Sequence, residues 1–100
     1  MELSKELRQA VSTGNVAIGT ARSIKALKRG EAKLVIKSSH CPQGVTADIG
    51  HYSKLTGVPV HVFAGDSGEL GLACGKPFMV SVVAVIEPGN SSILSAVERK

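Results

Sequence analysis

Tryptophan is absent, and the aromatic residues are only Tyr52, Phe63 and Phe78. A core without large rings must be filled by Val, Ile, Leu and Ala, and a hydrophobic content of 43% suffices for that. Cysteine is almost as scarce. Cys41 and Cys74 lie far apart and outside any CxxC, so nothing in their spacing pairs them. They read as free thiols in a reducing compartment. Long apolar runs are also missing. The longest, Val80 to Ile86, contains Ser81 and falls short of the roughly 20 residues that span a bilayer. Glu2, Lys5, Glu6 and Arg8 break up the start, so no secretory signal is expected there. A soluble cytoplasmic protein is expected, with no membrane partner. The 100 residues predict one domain over 1–100, too small for separate catalytic and regulatory parts.

Enzyme motifs are missing as well. Gly75-Lys76 is followed by Pro77, and Leu70 stands where a phosphate-binding loop would open with glycine. Gly68, Gly71 and Gly75 do not fit GxGxxG, and Ser67 and Ser81 lack a nucleophile-elbow context. Asp66 and Glu69 read as helix-capping residues rather than an acid pair. His40, His51 and His61 are scattered, and only Cys41 adjoins one of them, whereas zinc sites use two close ligand pairs. The expectation is no catalysis, no metal and no cofactor.

What is present is a basic surplus. Twelve Lys and Arg face eight Asp and Glu, for a net charge of +4 and a pI near 9.3. That balance favours a polyanionic partner. Leu3, Leu7, Ala10 and Val11 recur at helical spacing, and Ser12-Thr13-Gly14-Asn15 ends that helix. Val16-Ala17-Ile18 reads as a short strand. Ala21 to Lys28 turns helical again and stops near Gly30. Ala32 to Ile36 reads as a buried strand, followed by a polar loop from Ser38 to Pro42. The next helix starts at Thr46 or Asp48 and runs toward Leu55, and Val60 to Phe63 alternates like a strand, with His61 on its solvent face. Ser67 is expected to cap a short helix through Cys74. Ser81 to Glu87 is the most apolar strand, Pro88-Gly89-Asn90 a turn, and Ser91 to Glu98 a final helix. This alternation predicts a layered α/β domain with helices on both faces of a four-stranded sheet.

Two segments carry candidate binding chemistry. In Ile18 to Lys25 a strand ends, Gly19 permits close backbone approach, and a helix begins. Free amides at a helix start bind anions, and Arg22 and Lys25 share one face of its first turns. The plain alternative is a β-to-α turn with solvated side chains. Phe78 lies in a loop entering a strand, where an aromatic ring can stack on an unpaired base. The plain alternative there is a core anchor that closes the loop.

The order of several motifs carries a resemblance. Gly19-Thr20 opening a helix with Lys25, Ala32-Lys33-Leu34-Val35-Ile36, Ile49-Gly50-His51-Tyr52 and Gly57-Val58-Pro59-Val60 resemble the kink-turn RNA-binding superfamily. Glu69-Leu70-Gly71, Gly75-Lys76-Pro77-Phe78, Ser81 to Ile86 and Pro88 to Leu94 are similar to its large-subunit ribosomal protein family L-thirty-e, archaeal and eukaryotic. The likeness covers essentially the whole chain. It implies a three-layer α/β/α sandwich with a four-stranded mixed sheet, no enzymatic activity, and ribosomal RNA with a kink-turn-like bend as partner. It also implies neighbouring ribosomal proteins as partners, and a chain that is a monomer when free.

The RNA contacts it implies come from three loops at one end of the sheet: Gly19, Thr20, Ala21, Arg22 and Lys25; His40; and Phe78, Met79 and Val80. Ala21-Arg22 departs from the Asn-Glu that sister families use to read tandem G·A pairs. Arg22 cannot accept hydrogen bonds as Glu does, so phosphate contact is expected there instead. Val45 and Met79 stand where relatives place basic residues, which implies apolar packing on bases or ribose. Three other readings compete: a sister kink-turn protein of a guide-RNA particle, a small α/β enzyme or metabolite-binding module without RNA, and a protein-interaction scaffold.

Overall fold

In the computed structural model of the chain, residues 3–39, 43–63 and 65–89 are described. His40, Cys41, Asn90 and the helix expected over Ser91 to Glu98 lie outside the described residues. The elements are α1 (Leu3–Thr13), β1 (Asn15–Ile18), α2 (Thr20–Lys28), β2 (Leu34–Ser38), α3 (Gln43–Thr56), β3 (Val60–Phe63), α4 (Ser67–Ala73) and β4 (Val82–Glu87). The strands form one mixed sheet in the order β1-β4-β2-β3. β4 runs antiparallel to both β1 and β2, and β2 runs parallel to β3. The parallel pair requires a crossover, which α3 supplies.

The central strands β4 and β2 bury both faces, so their apolar residues sort by alternation into two cores. Leu34, Ile36, Val83 and Val85 pack with Leu7 and Ala10 of α1 and Leu70 and Ala73 of α4. Val35, Val82 and Ala84 pack on the other side with Ala26 and Leu27 of α2 and Ile49 of α3. Each fully buried Leu or Val contributes about 1.5–3 kcal/mol relative to exposure. The expected layered sandwich is therefore the observed one.

Several boundaries and side-chain placements differ from expectation. β2 starts at Leu34 rather than Ala32, because Ala32 is drawn into the α2/α3 core ahead of the strand. It continues past Ile36 through Ser38, whose N–H donates to Ser81 O at 2.8 Å. α3 begins at Gln43, upstream of Thr46 and Asp48. Its early Val45 packs partly against the α2/α3 core rather than standing free as a binding surface. Asp66, not Ser67, caps α4: its Oδ1 accepts the Glu69 N–H at 2.9 Å. Ser67 turns inward and is buried. On β3 it is Val62 that stands exposed, while His61 is half-buried.

Gly14 joins α1 to β1 at a point where β4 passes very close. A Cβ there would lie 2.0 Å from Glu87 O, so no other residue fits without moving the strand.

Candidate nucleic-acid interface

The sheet register brings the relevant loops to one end. Ile18 at the end of β1 lies opposite Val83, and Lys37 near the end of β2 lies opposite Val82, both near the start of β4. The Gly19 turn, Ser38 at the end of β2 and the loop leading into Ser81 therefore meet there.

Gly19 is built for its place. Its φ of 109° and ψ of 156° lie in a region that essentially only glycine occupies. Its N–H donates to Val82 O at 3.0 Å, which ties the turn to β4. A Cβ at this position would meet nothing within 4 Å, so the demand for glycine is conformational, not spatial. Helix α2 then begins with no side-chain cap and no acidic residue in its first turn. The amides of Thr20, Ala21 and Arg22 have no carbonyl one turn earlier in the helix, so they form a positive end.

Ser23 fixes that end. It is buried, and its hydroxyl lies 3.2 Å from Ala17 O and 3.3 Å from Val82 O. Nothing in the sequence marked Ser23 except a small polar residue on an otherwise amphipathic helix. Arg22 and Lys25 are exposed. Among the described residues the salt bridge is Lys33–Glu87 at 3.1 Å, which leaves both cations without an acidic partner there. Lys37 adds a further cation at this end of the sheet, on the strand segment that the expected boundary had left out.

The second loop rests on α4. A Cβ on Gly71 would lie 2.0 Å from Phe78 O, so this glycine lets the loop close onto the helix. The Lys76 N–H donates to Gly71 O at 2.9 Å, and the Val80 N–H donates to Ser67 O at 3.0 Å. The Ser67 hydroxyl lies 3.2 Å from Ser81 Oγ and 3.4 Å from Ser38 Oγ, linking α4, β4 and β2 beneath the loop. So held, the loop presents apolar surface to solvent. Phe78 is 56% exposed, Met79 73%, and Leu72 of α4 beside them 70%. An exposed apolar cluster rimmed by polar groups marks a contact surface.

Val80 corrects the expectation for this loop. Its side chain is 2% exposed and belongs to the α1/α4 core, so it anchors the loop and cannot pack on a ligand. Phe78 and Met79 carry the exposed face. Arg22 and Phe78, from the two separate candidate segments, line one cleft beside β1. His40 lies outside the described residues, so its relation to this group is not part of the geometry. Cys74 is buried below the loop, and burial pushes its thiol up to about 11, against a smaller opposite pull from Lys76. It is a packing residue, not a nucleophile.

A mixed four-stranded sheet between two helical layers, with an uncapped basic helix start beside an exposed aromatic loop, defines a small α/β/α domain of the build seen in RNA-binding ribosomal proteins. The chain belongs to the ribosomal protein L7Ae/L30e/S12e/Gadd45 family, matched over residues 1–95. It is 50% identical to large ribosomal subunit protein eL30 of Methanococcus vannielii over 95 residues, covering 95% of this chain and 90% of the relative. It is 47% identical to the eL30 of Methanosphaera stadtmanae, covering 98% of this chain and 100% of that one. With the eL30 of Methanocaldococcus jannaschii it shares 42% over all 100 residues, 91% of the relative. Membership in a ribosomal protein family implies a structural role.

Proposed function

We propose that this chain is a non-enzymatic constituent of the large ribosomal subunit in the cytoplasm, binding a kink-turn or internal loop of ribosomal RNA. Residues 1–100 act as one RNA-binding domain, monomeric when free, with neighbouring ribosomal proteins as its other partners. The observation that carries this reading is the convergence of the uncapped, basic start of α2 and the exposed Phe78–Met79 loop at one end of the sheet. The full-length similarity to eL30 proteins supports it.

The division of labour follows from the groups present. The amides of Thr20, Ala21 and Arg22, with the Arg22 and Lys25 side chains, hold phosphates at the bend. Gly19 sets the direction of that helix start. Phe78 and Met79 pack on an unpaired base or its ribose. His40 supplies a donor or acceptor whose state depends on pH.

Filter binding of a kink-turn-containing ribosomal RNA fragment tests the reading. Affinity should fall as salt rises, with a slope of about −0.7 to −0.9 per phosphate contact. A flat salt response, or equal affinity for a straight duplex of the same length, would refute it.

A further inference from the structure

Charge is divided unevenly along the fold. Residues 19–57, which hold α2, β2 and α3, carry seven Lys and Arg against Glu31 and Asp48. Residues 58–89, which hold β3, α4 and β4, carry Lys76 against Asp66, Glu69 and Glu87. A polyanion is therefore drawn to the α2/α3 side and repelled from α4. Yet α4 leaves Leu72 70% exposed, and the proposed RNA contacts make no use of that side chain. Leu72 lines a groove of about 180 Å³ with Gly68, Pro77 and Met79. Gly71 lets the loop close onto α4. Gly68, one turn before Leu72, leaves one wall without a side chain. Glu69 precedes Leu72 by three residues, so its exposed carboxylate stands beside Leu72 on the helix surface, and Asp66 is exposed at the helix start. The groove is smaller than the roughly 300–1,000 Å³ of small-molecule sites, and suits a single apolar side chain.

We propose that this face of α4 docks a neighbouring ribosomal protein, through a short segment with one apolar anchor flanked by Lys or Arg. The anchor sits in the groove between Leu72 and Met79, and a flanking cation pairs with Glu69. An anchor seated in a pocket within a polar rim is where such contacts concentrate their energy. The partner's charge follows from its setting, because a protein seated on the same RNA needs Lys and Arg for its own phosphate contacts. RNA itself suits this face less well, since a phosphate brought near Leu72 would meet Glu69 and Asp66. Lys76 is half-buried beyond the C-terminal end of α4, so opposite charges mark the two ends of the groove and give a bound segment its direction. The inference rests on the ribosomal reading above and names the surface that a neighbouring protein uses.

Photocrosslinking in assembled large subunits tests it. The full chain carrying Leu72→p-benzoylphenylalanine is incorporated into subunits that lack the parent chain. Its crosslinks, mapped by mass spectrometry, should fall in one protein, within a segment that places an apolar residue next to Lys or Arg. Leu72→Gln should compete about 5- to 30-fold less well than the parent for such subunits, the loss expected for one buried anchor. Glu69→Gln should act in the same direction by less, as ion pairs at a rim contribute little. Both variants should bind the isolated ribosomal RNA fragment as the parent does, because neither residue belongs to the proposed RNA contacts.

Crosslinks from position 72 to RNA alone, to no protein, or to a segment without Lys or Arg would overturn the docking surface. So would equal competition by Leu72→Gln, or a matching loss of affinity for the RNA fragment. Failure of the parent chain to enter large subunits and to bind the fragment would instead overturn the ribosomal reading.

Discussion

Phe78 and Phe63 are the only phenylalanines, and they sit in opposite circumstances. Phe63 is 8% exposed at the end of β3 and packs in the α1/α4 core. Phe78 leaves more than half of its surface in water. Truncating each to alanine should therefore separate stability from binding. Phe63→Ala removes a buried ring and should cost about 3–5 kcal/mol, read as a lower urea midpoint. Phe78→Ala removes a ring that folding only partly buries, so its stability loss should be the smaller of the two.

In RNA binding the order reverses. Loss of one aromatic–base stack costs about 1–3 kcal/mol, so Phe78→Ala should weaken binding about 5- to 150-fold. Phe63→Ala should bind like the parent once corrected for its unfolded fraction. Filter binding and urea titrations in one buffer, at one temperature, give both numbers. If Phe78→Ala matches Phe63→Ala in lost stability and keeps full affinity, Phe78 is a core anchor and its assignment to the interface is wrong.

Two further predictions address the other ends of the argument. Gly19→Val should cost about 1–3 kcal/mol through backbone strain, since the site has room but not the conformation. The domain should stay folded against a typical stability of about 5–15 kcal/mol, yet bind RNA more weakly as the α2 start is redirected. A semisynthetic D-alanine at the same position should recover both properties, and an unchanged melting curve for Gly19→Val would contradict the strain argument. Burial raises the Cys74 thiol to about 11, above the ordinary value near 9.0, so the folded state holds that proton more tightly. Its contribution to stability is then complete below about pH 9 and declines as pH rises from 9 toward 11. Native protein should accordingly leave Cys74 unalkylated at pH 8, checked by mass mapping of iodoacetamide adducts; rapid native labelling at Cys74 would contradict its burial.

Much of the architecture could be read from residue patterns, for identifiable reasons. β2 and β4 announce themselves as unbroken apolar runs because both of their faces are covered. β3 was legible from Val60 to Phe63, though alternation alone did not tell which face was wet. The start of α3 was not legible: its first turn carries Gly44 and a single apolar residue, Val45, so periodicity begins only later. Asp66 and Ser67 are both good capping residues, and only tertiary packing decides between them, by turning the Ser67 hydroxyl toward Ser38 and Ser81.

The candidate interface was half visible. Gly19 and Phe78 stood out by residue type and neighbours. Lys37 did not, because its place at this end of the sheet depends on pairing with β4, distant in the chain. Val80 misled for the opposite reason. It adjoins two exposed residues, and nothing local marks the hydrogen bond to Ser67 that draws it into the core.

The strand order has a consequence for how the protein comes into being. β1 and β2 do not touch each other as strands; β4, made after all of them, is the partner of both. During synthesis the first two thirds of the chain can form helices and the local β2–β3 pair, but the sheet has no centre until residues 82–87 emerge. The Gly19 turn has no Val82 carbonyl to hold it before that moment. A chain in which β4 has not yet formed thus lacks the assembled end of the sheet on which the proposed RNA contacts depend.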